Sequence, residues 1–280
     1  MIKAPVIGII RYSCRASYTR KKYFQSKYQD YRLEIFKNVT LKSLQEQTDM
    51  DFNILLLHSD NLPQKYKDIF KNLEKINSFL YNIYISDSEL EGNDYINAVQ
   101  GTIKYIKFIN NMSINFRIDN DDAVPCDFIS RLKEYLKPEY FNYIISFPNI
   151  SIIQRIRKYK FLIQDKYLPS NSIGLAYITN SLNYRTIMTL GDHGKVNKMH
   201  TMILLPYKGG IQTINGKNIM NTLYFLSVSR LNNIELKIFL KENGYPNINF
   251  DFLGIYRRNL IVDTIKKIFN FIKKKCKTKK

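Results

Sequence analysis

The sequence predicts an α/β protein with a Rossmann-type, mostly parallel central sheet flanked by helices, a mixed second half and a C-terminal amphipathic helix. Three observations carry this expectation. Short apolar segments alternate with segments of helical period over the first 127 residues. After Asp127 the alternation gives way to short, closely spaced apolar segments. Near the end, Ile261, Ile265, Ile268 and Ile272 share one face of a stretch over residues 260–272.

The elements follow in order. Residues 6–10 are a continuous apolar run of strand length. Residues 28–47 form a helix, with Tyr28, Ile35, Val39 and Leu44 near helical spacing. A second strand covers 52–57, and Pro63 opens a helix that runs to Ile76. A short strand at 83–85 precedes a helix over 93–109, where Ile96, Val99, Ile103 and Ile106 line one face. Residues 113–118 alternate apolar and polar side chains and make a fourth strand, ending at Asp119. Strands separated by helices imply a parallel sheet covered on both faces. Right-handed crossovers gather the strand ends along one edge, where Arg11, Ser59, Asp60 and Asp119 emerge. Beyond Asp127, a helix with Phe128, Ile129, Leu132, Tyr135 and Leu136 on its face stops at Pro138. Short strands are expected at 143–147, 151–155, 159–163 and 173–178, and a loop-rich segment over 186–217. A helix over 231–242 is ended by Gly244 and Pro246.

At 280 residues and 45% hydrophobic, the chain can build one large domain or two small ones around a real core. Cys14, Cys126 and Cys276 are odd in number and far apart, which fits neither a disulfide framework nor a zinc site and points to a reducing cytosol. Residues 6–10 are too short for a signal-peptide core, and no apolar run approaches bilayer-spanning length. The net charge is +19, and residues 257–280 hold ten basic residues against one acid, Asp263, or nearly half of the excess.

The most informative motif is Arg117-Ile118-Asp119-Asn120-Asp121-Asp122. Three carboxylates within four residues repel one another, and a divalent cation relieves that repulsion; hard oxygen ligands suit Mg²⁺ or Mn²⁺. The motif ends an apolar strand, where alternating folds bind ligands. The same residues would also serve as a solvated acidic turn capping the next helix.

With its flanks Ala123, Val124, Asp127, Phe128 and Ile129, and with the segments at 31–36 and 40–52, this motif resembles GT-A glycosyltransferases. It is most similar to bacterial rhamnosyltransferase-like proteins of capsule and lipopolysaccharide gene clusters. The second segment carries a Leu-x-Ser-Leu-x-x-Gln pattern at Leu41, Ser43, Leu44 and Gln47, shared more widely among GT-A enzymes. The resemblance implies a GT-A-like fold with a nucleotide-sugar-binding half (1–127), an acceptor-side half (128–256) and a basic amphipathic tail (257–280). It implies transfer of a sugar from a nucleotide-diphosphate sugar to a surface polysaccharide or lipid-linked glycan. Mn²⁺ or Mg²⁺ would sit on Asp119 and Asp121, or on Asp121 and Asp122, with His193 or Asp192 completing the shell. Asp122, Asp192 and His193 are the implied catalytic candidates, and Arg11, Arg32 and Arg117 the candidates for the donor. The chain departs from the family where an aromatic and His-Gly-x-Asn are expected, since Asn215 stands at the His position in the 209–218 segment.

Several of these residues have a second reading. Arg11 meets phosphate or base, or is an exposed residue at a strand end. Arg32 is equally a helix-surface ion-pair partner, and Arg117 a structural partner of Asp119. Gly191-Asp192-His193-Gly194 is also good turn chemistry. His200 is a weaker candidate, His58 is structural, and Asp165 and Glu89 are bases by residue type alone. The tail reads as an anchor on anionic lipid, placing a cytoplasmic protein peripherally on the inner face of the cell membrane, or as a last helix packed on the core. No nucleic acid is expected as partner, because no nucleic-acid-binding signature is found. A metal-dependent nucleic-acid enzyme and an inactive scaffold of the same fold are the rival classes.

Overall fold

A computed structural model describes residues 2–3, 5–13, 25–86, 106–107, 112–181, 185–191, 196, 200–214 and 229–253. The strands are β1 (Ile2–Lys3), β2 (Val6–Arg11), β3 (Asn53–Ser59), β4 (Leu80–Ile85), β5 (Ile106–Lys107), β6 (Met112–Asp119), β7 (Ile144–Ser146), β8 (Asn149–Arg157), β9 (Lys160–Tyr167), β10 (Ala176–Asn180), β11 (Met202–Leu204), β12 (Lys208–Ile214) and β13 (Ser229–Asn232). The helices are α1 (Ser26–Ile35), α2 (Lys42–Gln45), α3 (Gln64–Ile76), α4 (Phe128–Lys133) and α5 (Asn233–Glu242). A π-helical turn, Phe36–Leu41, joins α1 to α2.

The main sheet has seven strands in the order β11-β7-β10-β6-β2-β3-β4. Strands β6, β2, β3 and β4 pair in parallel, and β10 runs antiparallel to both of its neighbours. The molecule is thus a mixed α/β fold with a large, mostly parallel sheet flanked by helices, as the alternating pattern predicts. All seven residues of β3 are buried, which explains its unbroken apolar sequence. Alternate residues serve opposite faces. Val6, Ile10, Ile54 and Leu56 join one core with Phe36, Tyr66, Phe70 and Phe128. Ile7, Ile9, Leu55 and Leu57 join a second with Ile187, Met188 and Leu190.

A second sheet, in the order β12-β8-β9-β13, packs with α5 around a third core that includes Ile35, Val39 and Ala123 of the first half. The two sheets meet at the chain just after the acidic motif. There Ala123 and Ile211 exchange hydrogen bonds of 3.0 and 2.8 Å.

Three expectations change. The helix over 93–109 lies outside the described residues except at Ile106 and Lys107. These two pair in parallel with Ile2 and Lys3 as a strand. The 186–217 segment is not all loop, for it contains β11 and β12. Gly209-Gly210 hid the strand character of β12, since neither has a side chain to mark the alternation. Leu231 and Asn232 belong to β13, and the last helix begins one residue later, where Asn232 caps it. The tail at 257–280 lies outside the described residues. Among the described residues no helix is long and apolar enough to cross a membrane.

Candidate functional site

The acidic bend leaves the C-terminal end of β6 beside the end of β2. Parallel pairing puts Arg11 level with Asp119, and their side chains approach to 3.8 Å. Arg117 lies two residues earlier on the same strand face, buried, with its guanidinium 3.6 Å from the same Asp119 oxygen. Asp119, at 35% exposure, thus sits between two guanidinium groups at the sheet edge.

Arg32 reaches the bend from α1. Its guanidinium lies over the rings of Tyr12 (5.1 Å) and Tyr28 (5.6 Å) and donates to Asn120 Oδ1 at 2.5 Å. Three arginines from three elements therefore surround three acids. Asp121 is half-buried, and its backbone carbonyl accepts from Thr213 Oγ1 at 2.7 Å.

Asp122 differs from its neighbours. It is 2% exposed, and its carboxyl accepts from the Thr213 N–H at 3.4 Å. Burial, and then the charges of Asp121 and Asp119, push this carboxyl well above the usual range; Thr213 and Arg117 offset only part of that. Its carboxyl is thus enclosed by the fold, whereas the more accessible edge of the bend is formed by Asp119 and Asp121.

The Leu-x-Ser-Leu-x-x-Gln segment turns out to clamp this bend. Thr40, in the π-helical turn, donates to Asp122 O at 2.8 Å, and Ser43 Oγ accepts from Val124 N at 3.4 Å. Gln47 donates to Pro125 O at 2.7 Å and accepts from Ile129 N at 3.0 Å. Leu41 and Leu44 are buried beneath it. From the other side β12 presses close. A Cβ on Gly210 would stand 2.7 Å from Ala123 O and collide with Ile173. Thr40 and Asn120 stand within the motifs that the sequence singles out, but their contacts to the bend, like those of Thr213, emerge only in the fold. The Gly-Gly pair within an otherwise apolar strand was the one available signal for close backbone approach.

The structure brings Arg11, Arg32, Arg117, Asp119, Asp121 and Asp122 together. Asp192 and His193 lie outside the described residues. Among the described residues no group of three or more His, Cys, Asp and Glu side chains is arranged to hold a metal ion. Two carboxylates at an exposed edge still fit a magnesium-type ion, which is commonly held by one or two carboxylates together with substrate phosphates and water. His58 is buried in the core. Its Nε2 lies 3.0 Å from Asn82 Oδ1, and its ring stacks on Tyr84. Burial lowers its pKa to about 3, with Arg32 adding to the effect and the Asn82 hydrogen bond opposing it.

The fold is thus an α/β fold whose mostly parallel sheet collects acids and arginines at its carboxyl edge, the edge where folds of this class bind ligands. Residues 6–224 match the family model described as "Putative rhamnosyl transferase". The chain belongs to that family of glycosyltransferases. No curated protein matches it. Among solved structures it is similar to S. aureus TarS 1-349 in complex with UDP, at 9% identity and a TM-score of 0.39, covering 75% of this chain and 60% of that chain. It is similar to the UDP-GlcNAc complex of the same protein at 11% identity and a TM-score of 0.30, covering 54% and 34%. A "Putative Glucose-1-Phosphate Thymidylyltransferase" from Bacillus anthracis is similar at 9% identity and a TM-score of 0.37, covering 89% and 99%. The chain thus spans between about a third and three-fifths of the TarS 1-349 chains it matches.

Proposed function

We propose that this protein transfers a sugar, with rhamnose the first candidate, from a nucleotide-diphosphate donor to a surface-polysaccharide or lipid-linked glycan acceptor. The observation that carries this reading is the acidic bend with its arginines, in a chain of this family. Asp119 and Asp121 would hold Mn²⁺ or Mg²⁺ in the manner of an Asp-x-Asp motif. When bound, the ion supplies Lewis-acid stabilisation of charge on the leaving nucleotide diphosphate.

The chain's own residues do the rest. Arg11 and Arg32 face the donor's phosphates, where fixed guanidinium groups favour the developing anion. Arg117 holds Asp119 in position. Asp122, buried and accepting from the Thr213 N–H, supports the bend from within. Asp192 or His193 would supply the acceptor's base or a further metal ligand. Residues 1–127 form the donor half and 128–256 the acceptor half, and the tail at 257–280 holds the enzyme on anionic lipid at the inner face of the membrane.

Thermal unfolding with Mn²⁺ and UDP, GDP or dTDP tests the donor assignment. At about a hundredfold excess over Kd, one of the three should stabilise the protein by about 2.7 kcal/mol, or roughly 5–10 °C. Salt-sensitive nucleic-acid binding without any diphosphate effect would favour the nuclease class instead.

A further inference from the structure

We propose that the outer face of α5, together with the tip of the β8–β9 hairpin, is a docking surface for an anionic lipid bilayer. This surface belongs to the folded domain and is separate from the basic tail.

Helix α5 buries Leu236 and Leu240 against the third core. On its opposite side Ile234 is 72% exposed and Ile238 51% exposed. Four residues apart, the two isoleucines form one outward stripe. Lys237 and Lys241 are exposed on the same helix. The hairpin tip supplies a third large apolar group, Tyr159, 48% exposed, with Lys158 Nζ 5.0 Å from its ring centre. Pairing of Asn232 with Lys160 sets this tip beside the first turn of α5. Arg157, Lys160 and Arg230 line a cleft of about 400 Å³ at that junction.

Six cations therefore edge an aliphatic and aromatic surface: Arg157, Lys158, Lys160, Arg230, Lys237 and Lys241. No carboxylate among the described residues forms an ion pair with any of them. Glu235, the acid within the cleft, is engaged in capping α5, where it accepts from Asn232 N at 2.7 Å. Glu235 and Glu242 flank Ile238 on one side, so the cations border the stripe on its other side and at the hairpin, and six of them still outnumber the two acids. Exposed aliphatic side chains bordered by lysine and arginine match the boundary between headgroups and acyl chains of an anionic leaflet. Non-specific nucleic-acid surfaces instead present base-stacking aromatics along a groove. A second copy of this chain would bring like charge against like. The path of the chain agrees with a bilayer. Asn233 donates to Asp251 at 3.3 Å and Arg155 donates to Leu253 O at 3.1 Å, so the described chain ends beside α5.

The chain has no tryptophan, so a single introduced one reports its own surroundings. Full-length Ile238→Trp is mixed with vesicles of phosphatidylcholine and phosphatidylglycerol, with and without brominated acyl chains. Ile76→Trp, at a position 74% exposed on α3, serves as the control. The expected result is a blue shift and bromine quenching for Ile238→Trp alone, weakened at least threefold when Arg157→Glu and Arg230→Glu are added. Cosedimentation with vesicles while the residue-238 signal stays water-like would overturn the proposal and leave anchoring by the tail intact. Absence of vesicle binding would overturn it too, as would a shift produced by RNA or by self-association without lipid.

Discussion

Arg32 shows how stacking and a hydrogen bond fix a guanidinium at the edge of the bend. Its planar group lies against Tyr12 and Tyr28 and donates to Asn120. Lysine keeps the charge but loses both the stacking and the fork. Arg32→Lys should raise the donor KM about tenfold, roughly 1.4 kcal/mol, with kcat little changed; steady-state kinetics would check this, and a fall in kcat alone would contradict a role in donor binding. Asp121→Ala should lower turnover by a factor of about 10² or more without loss of fold, which a transfer assay beside circular dichroism would show. His58 gives the protein an acid sensitivity of its own. Asn82 donates through its amide nitrogen to Phe70 and Glu74, so its oxygen accepts and His58 Nε2 carries the proton. The folded pKa, about 3, lies below the ordinary value of 6.5. The unfolded chain therefore binds a proton first as pH falls, and this contribution to stability is present above pH 6.5 and is lost progressively towards pH 3. Urea unfolding between pH 6.5 and 4 should show a slope of up to about 1.4 kcal/mol per pH unit from this group, and His58→Phe should remove it. Asp119 and Asp121 stood out as candidates because their crowding falls at the end of an apolar strand. Thr40 and Thr213 did not, because their partners lie 82 and 92 residues away and no local periodicity marks them.

Among the elements, the π-helical turn with α2 acts as a bracket for the chain that follows β6. Gln47 satisfies one buried carbonyl and one buried N–H of that chain at once. Gln47→Leu would leave both without partners, so urea unfolding should show a loss of roughly 2–4 kcal/mol. Strand β12 is the opposing element. Gly210→Ala forces a Cβ against Ala123 O and Ile173 and should cost about 1–3 kcal/mol. Its effect on transfer should exceed its effect on stability, because Thr213 on the same strand positions the bend. Paired activity and stability measurements would show the difference. Strands β2, β3 and β6 could be read from sequence because burial on both faces leaves long apolar runs or clear alternation. Strand β12 could not, since its two glycines replace the side chains that carry the pattern.

For the whole molecule, the second half contributes three strands, β7, β10 and β11, to the main sheet, so the two halves of the chain share one core. The sequence pointed to a mixed second half without revealing that sharing, because antiparallel insertion beside β6 depends on long-range pairing rather than on local pattern. The charge is also organised at this scale. A chain ending at Arg257 should bind anionic vesicles more weakly than the full chain, yet retain salt-sensitive binding through α5 and the hairpin; sedimentation at 0.05 and 0.2 M salt would measure both parts. The acidic bend is where cation and diphosphate should meet. Crystals soaked with Mn²⁺ and a sugar nucleotide provide the most direct measurement, through anomalous scattering from manganese. The expected result is one peak within coordination distance of Asp119 or Asp121 and of the donor's diphosphate. A diphosphate bound elsewhere, with no peak at these carboxylates, would show that the bend holds no catalytic cation.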